Sequence, residues 1–387
     1  MYPKLSDLIN DIFGTNINLP IQSYGFMLAM AFLAGGLIVY FELKRKEKEG
    51  LIHAQKKKIV KGKPASINEL VFSALIGFLI GFKIVGAALD YTYFANNPQD
   101  FLFSKEGSFI GGIIIGAIYT YYSYWQKQKN KLDKPKEDVT LVHPYQLTGS
   151  IILIATVTGI IGAKIFHQLE NMDEFIADPV GSLLSFSGLT FYGGLIVATF
   201  ALIYYSEKNK ISWKYLADIV APALMIAYAI GRIGCQVSGD GDWGIINLTP
   251  KPEWLSFLPE WLWAYDYPNN ILNQGVLIEG CSVHYCHHLV PPVFPTPVYE
   301  TTICGILFLI LWFIRKRIKA PGVLFSIYLM FNGVERFFIE KIRVNETYNI
   351  IGSEITQAEI ISVLLVILGG IGVWYFLSSH KKQKMEG

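Results

Sequence analysis

The chain is short of charge. Of its 387 residues, 17% are Asp, Glu, Lys or Arg and 52% are hydrophobic, whereas a soluble domain carries about a quarter charged residues. That shortage excludes an ordinary water-soluble enzyme of this size. Four cysteines are too few for a disulfide-built scaffold. Met1 to Pro20 is mixed and polar, with no basic segment leading into an apolar core. No cleavable signal peptide is therefore expected, and the first apolar run would itself direct insertion. The net charge of +2 says little about partners; its distribution says more.

What the chain does have is apolar runs of roughly 18 to 23 residues, enough for a helix to cross ~30 Å of hydrocarbon. Lipid offers no hydrogen bonds, so each run should be helical. Spans are expected at about 21–41, 67–90, 108–125, 145–168, 184–205, 215–236, 298–314, 322–341 and 358–378. The fold class is thus all-α, a polytopic membrane bundle of about nine helices forming one domain over residues 1–387. The connections alternate in charge. KRKEK and QKKK in 42–63, QKQKNKLDKPKED in 126–138, SEKNKISWK in 206–214, RKRIK in 315–319 and the C-terminal HKKQKMEG are basic. YTYFANNPQDF, LENMDEFIADP and a long loop over 237–297 are acidic or neutral. The positive-inside rule puts the basic set in the cytoplasm, the N-terminus outside and the C-terminus inside.

An internal repeat is visible. GFKIVGAALDY from Gly81 followed by GGIIIGAIYTYY from Gly111 matches GAKIFHQLEN from Gly162 followed by GGLIVATFALIYY from Gly193. The offset is about 81 residues, so units at about 67–142 and 143–214 would be parallel copies rather than inverted ones. Convergence on small-residue helix packing is the alternative.

Ionisable residues inside spans mark polar cavities. Lys83, Lys164, His167, Arg232, Arg336, Glu340 and Arg343 all fall in the outer parts of their spans, with Tyr24, Tyr192, Tyr299 and Glu300 opening the inward-going helices at the same level. Every intramembrane charge is thus expected near the outer face, which disfavours a transporter open to both sides. Asn332, Arg336, Glu340 and Arg343 are spaced four, four and three, one stripe of a helix on which Glu340 can pair with both arginines. After Gly231-Arg232-Ile233-Gly234 the helix should break, because Cys235 to Gly244 is rich in glycine and hydrogen-bonding groups. Irregular backbone at that depth lines a cavity. Two arginines from different helices suit an anionic lipid head group, since guanidinium grips phosphate with paired hydrogen bonds. In the long loop, Cys281 and Cys286 of CSVHYCHH fit a disulfide in an oxidising compartment, with free thiols or a metal as the alternatives. WLSFLPEWLWAYDY looks suited to lie on the membrane surface. Cys235 and Cys304 read as packing residues.

In these residues the chain resembles the bacterial prolipoprotein diacylglyceryl transferases. SYGFMLAMAF, GAKIFHQLEN, GLTFYGGLIVA, ADIVAPALMIAYAIGRIGCQVSGDGDWG, PTPVYE, NGVERFFIEKIR and TQAEIISVLLVILG follow in the family's order. The departures are specific. Tyr192 stands for the His of His-Gly-Gly, Lys164 for the Arg of Gly-Ala-Arg, Cys235 for the Asn after Gly-Arg-x-Gly, and Asn332 for a Tyr. Ser238 and Asp240 replace the later Asn and Glu, with one extra residue before Trp243. The resemblance implies transfer of the diacylglyceryl group of phosphatidylglycerol to the lipobox cysteine of a preprolipoprotein, forming a thioether with glycerol phosphate leaving. It implies a bacterial inner membrane location and no cofactor or metal. The implied partners are phosphatidylglycerol, preprolipoprotein signal peptides and the bilayer, with no nucleic acid. Arg232, Arg336, Tyr192 and Asp240 are the expected catalytic residues. Tyr24, Lys164, Gly193, Gly194, Ser238, Asn332, Glu340 and Arg343 are the expected substrate-binding ones. The base is left between Tyr192, Asp240 and Glu340, and His284, His287 and His288 are expected to be dispensable. A homologue that binds lipid without transferring it is the rival reading.

Overall fold

The computed structural model describes residues 1–96, 98–184, 190–281, 283–345, 347–350 and 353–386. A short helix, α1 (Leu5–Phe13), precedes nine long ones: α2 (Ser23–Lys48), α3 (Ile67–Leu89), α4 (Phe109–Lys129), α5 (Thr148–Glu170), α6 (Phe191–Lys208), α7 (Trp213–Ser238), α8 (Thr296–Ile314), α9 (Val323–Glu340) and α10 (Gln357–Glu386). Each long helix coincides with one of the expected apolar runs. Among the described residues, six helical segments, at Ser23–Lys48, Ile67–Leu89, Pro144–Glu170, Trp213–Ser238, Thr296–Ile314 and Gln357–Lys382, are long and apolar enough to cross a membrane. The chain is therefore a multi-pass helical membrane protein. The run expected from 184 becomes helical only at Phe191; residues 185–189 lie outside the described residues.

The hub is α7. It packs against α2, α8 and α9, and it touches α6. One apolar core joins α2, α5 and α7 through Leu43, Ile151 and Ile219, and another joins α7, α8 and α9 through Met225, Cys304, Leu311 and Leu324. Helices α9 and α10 form a further tight pair. The other two long pairs, α3 with α4 and α5 with α6, are built alike. A Cβ on Gly81 would sit 2.5 Å from the carbonyl oxygen of Gly111, and one on Gly162 would sit 2.5 Å from that of Gly193. Both pairs thus depend on backbone-to-backbone approach. Lys83 Nζ donates to the carbonyl of Phe101 at 2.7 Å and Lys164 Nζ to that of Ser182 at 3.3 Å, eighteen residues on in each case. The strands that precede the two pairs, β1 (Gln55–Lys61) and β2 (Lys136–Val142), pair with each other antiparallel. The surroundings of the two pairs differ. α5 and α6 reach α2 and α7, whereas α3 and α4 pack on each other with no comparable contact to another long helix.

At one end of the bundle, residues 1–22 and the long loop form a head. The Met1 ammonium donates to the Pro268 carbonyl at 2.6 Å. Tyr267, fully buried, packs with Trp243 and Val293. The Cys281–Cys286 disulfide expected from the sequence is present. Of the aromatic run, Trp254 and Phe257 are exposed, while Tyr265 and Tyr267 turn inward.

The break expected within Cys235 to Gly244 comes at Ser238, where Gly239 in the left-handed conformation closes α7. Gly234 lets Met27 and Tyr24 of α2 come close, whereas nothing lies within 4 Å of a Cβ on Gly231. The buried charges, expected near one face, are not confined to one end. Glu42, Lys46 and Asp218 are buried at the opposite ends of α2 and α7, with Arg315 just past α8. Read from sequence, Glu42, Lys46 and Arg315 belong to basic connections, yet the neighbouring helices cover them. Glu42 holds Arg45 and Arg315. Asp218 accepts from the backbone N–H groups of Gly322 and Phe325 at 2.9 and 3.1 Å, so α7 supplies the cap for an α9 whose own N-cap residue is glycine.

Candidate active site

At the head end, side chains from α7, α8 and α9 meet. Arg232, two turns before the end of α7, pairs through Nε with Glu300 at 2.8 Å and through Nη1 with Asp242. Glu300 is fully buried in the second turn of α8. It accepts the Tyr228 hydroxyl at 2.5 Å and lies 3.3 Å from Arg343 and 3.8 Å from Arg336. Arg336 pairs with Glu340 one turn on at 3.0 Å. Asp242 bridges Arg232 and Arg343. It is carried on a turn in which Gly239 and Gly241 have φ of 63° and 98°, conformations that only glycine adopts freely.

Three guanidinium groups therefore converge on three carboxylates. The pairing is incomplete: Arg336 Nη1 and Arg343 Nε make no hydrogen bond. Buried donors without partners are rare and call for an explanation; beside them, Glu335 Oε1 and Oε2 and Glu340 Oε2 also make no hydrogen bond. Burial alone would raise the Asp242 pKa, but Arg232 and Arg343 hold that carboxyl below its ordinary value. Asp240 differs. Burial, then the Asp242 charge, push its pKa up, and it makes no ion pair among the described residues. Cys235 Sγ donates to Asp242 at 3.4 Å. Cys235, Asp240 and Asp242 bring their ligand atoms within 4.8 Å of one another, but the two arginines already on Asp242 oppose a cation there.

The stripe expected on α9 is only partly a stripe. Helix α9 ends at Glu340, and Arg343 lies beyond it, fixed by a β-bridge to Gly244. Arg343 turns to Asp242 and Glu300, so Glu340 holds Arg336 alone among the arginines and accepts Asn345 Nδ2 at 2.5 Å with its other oxygen. Tyr24 lies against Gly234, and Tyr192 feels the charges of Arg336 and Glu340. Asn332 lies a turn before Arg336 on α9, and its side chain makes no hydrogen bond among the described residues. The structure gives other surroundings to four expected binding residues. Gly193 and Gly194 are buried against α5, Lys164 holds the carbonyl of Ser182, and Ser238 donates back to Gly234 at 2.8 Å within its own helix. The loop histidines stand apart: His288 is 3.1 Å from Asp266, and His287 pairs in a short ribbon with Leu277.

Asp242, Glu300 and Tyr228 are what the residue-by-residue reading left out of the site. Glu300 was visible as a charge opening α8. Asp242 gave no signal beyond being the second acid of a glycine-rich turn, since only the fold carries it to Arg343.

The sequence model of a family described as prolipoprotein diacylglyceryl transferase matches residues 12–136 and 134–375. A relative from Dehalococcoides mccartyi is 30% identical over 62% of this chain and 78% of its own length. One from Clostridium novyi is 29% identical over 70% and 93%, and one from Clostridium botulinum is 27% identical over 61% and 81%. All three are named phosphatidylglycerol–prolipoprotein diacylglyceryl transferase.

Proposed function

The chain belongs to the prolipoprotein diacylglyceryl transferase family, and from that premise we propose that it moves the diacylglyceryl group of phosphatidylglycerol to the cysteine thiol of preprolipoproteins. The observation that carries this is the set of three converging guanidinium groups with donors to spare. The lipid phosphodiester would lie against Arg232 and Arg336, with Arg343 alongside. The thiol sulfur attacks the glycerol carbon bonded to the phosphodiester oxygen, a C–S bond forms as the C–O bond breaks, and glycerol phosphate leaves. The arginines bind the substrate anion and stabilise the charge that grows on the leaving phosphate. The thiol proton must go to a base, because the thiolate is the nucleophile. Asp240 suits that task best: it is near the arginines yet bound to none of them, and its raised pKa brings it toward that of a thiol.

Nine crossings, with the head and N-terminus outside and the C-terminus inside, fit the nine helices and the basic ends of α2, α4 and α6. The reaction then faces the outer side of a bacterial inner membrane, where preprolipoprotein signal peptides emerge. The shared lysine-to-carbonyl contact, the paired β1 and β2, and the meeting of the two family-matched stretches near residue 135 support a duplication of the β-strand and helix pair.

The test is transfer in vitro. Purified protein in detergent is given acyl-labelled phosphatidylglycerol and a peptide with a lipobox cysteine, and mass spectrometry follows the adduct. Wild type should form it, and Arg336→Ala should lose about 10²–10³-fold in rate. Wild-type protein that binds lipid but forms no adduct would overturn the reading in favour of a lipid-binding homologue.

A further inference from the structure

The charged cluster at the site is already balanced. Arg232, Arg336 and Arg343 face Glu300, Glu340 and Asp242, so an arriving phosphodiester meets no net positive charge unless one carboxylate gives way. Glu300 cannot move easily. It is fully buried in the body of α8 and is held by Tyr228 and three arginines. Glu340 is buried on α9 and fixed by Arg336 and Asn345. Asp242 is different on each count. Its side chain is 33% exposed, it sits on a loop rather than a helix, and the loop turns through two glycines with positive φ. It also occupies the place a phosphate oxygen would want, since its two oxygens contact Arg232 and Arg343 separately. Two donors nearby, Arg336 Nη1 and Arg343 Nε, make no hydrogen bond, and both of their arginines approach Glu300, as Arg232 does.

We propose that the Asp242 carboxylate is an internal stand-in for the lipid phosphodiester, which must displace it from Arg232 and Arg343 to bind, so that Asp242 sets how tightly the site takes anionic lipid. This rests on the reading of the arginines as the phosphodiester site. Displacement moves no covalent bond: the carboxylate swings out on the Gly239–Gly241 turn toward solvent, and the phosphate oxygens take its two guanidinium contacts. An arginine paired in advance with an internal anion is also kept from leaving a bare charge while the site is empty, which would be costly at this depth.

The experiment measures binding of a short-chain phosphatidylglycerol to full-length protein in detergent by titration calorimetry, beside transfer kinetics. Asp242→Asn keeps the size and a hydrogen-bonding oxygen but removes the competing charge. It should bind the lipid about tenfold more tightly and lower KM for lipid without raising kcat. Asp242→Glu, which restores the charge, should return both values to those of wild type. Thermal unfolding confirms that each variant is folded. Binding by Asp242→Asn that is equal to or weaker than wild type, in folded protein, overturns the proposal, as does a fall in kcat with KM unchanged. Arg336→Ala serves as the separate control: if it binds lipid as well as wild type does, the reading of the arginine site fails, whatever Asp242 does.

Discussion

The two ends of the bundle each bury a knot of charge, and the two are finished differently. At the end away from the head, Glu42 receives Arg45 through Nε and Nη2 and Arg315 through Nε at 2.7 Å. Arg45 goes on to Glu49 at 2.8 Å, and Arg315 lies flat on the Trp312 ring. None of these groups is left among the buried polar atoms without a hydrogen bond. At the head end, Glu300 and Glu340 are buried as Glu42 is, yet donor atoms on Arg336 and Arg343 and oxygens of Glu335 and Glu340 make no hydrogen bond, and Asp242 is partly exposed. Burial of charge is common to both ends; spare hydrogen-bonding capacity sets the head end apart. The knot away from the head fastens helices, and the one at the head end is the site proposed for the lipid.

Exchanging the substitution between the two ends gives the sharpest contrast. Arg315→Ala should cost about 2–3 kcal/mol of stability by leaving Glu42 with one partner in place of two, while the specific activity of protein that stays folded is kept. Arg336→Ala should lose most of the transfer and should also cost some stability, because it leaves the buried Glu340 without its arginine. Thermal unfolding and transfer measured on the same preparations check both, and a large activity loss in Arg315→Ala would break the distinction. Asp218→Ala removes the cap that α7 lends to α9 and should cost about 1–2 kcal/mol, read as a lowered unfolding temperature. The smallest effect belongs to pH. Asp240 must be deprotonated to accept the thiol proton, and its pKa is raised above the ordinary carboxylate value. Transfer should therefore fall as pH drops through that raised value, and Asp240→Asn should lose that limb of the profile. An unchanged acid limb in the variant would remove Asp240 as the base.

Much of this was legible in the chain because hydrocarbon is a demanding solvent. Apolar runs of about twenty residues located all nine long helices, and Arg232 and Arg336 stood out because a guanidinium in such a run needs a reason. What sequence could not supply were the partners. Glu42 and Arg315 looked like flanking charges, since their burial depends on α2, α7 and α8 closing over them. Arg343 looked like part of the α9 stripe, whereas a β-bridge to Gly244 directs it. Lys164 looked like a cavity residue by its depth, while its ammonium is turned to the Ser182 carbonyl. Pattern reports depth and face; pairing is settled by elements far apart in sequence.

The contact between Asp218 and the start of α9 also acts as a ruler. From it, α7 and α9 run in the same direction, and each reaches its arginine fourteen residues later, Arg232 counted from Asp218 and Arg336 from Gly322. At 1.5 Å per residue both stand on the order of 21 Å from a shared origin. The height at which the two guanidiniums stand is thus gauged from the opposite end of the bundle, where neither helix can slip against the other without giving up those backbone hydrogen bonds.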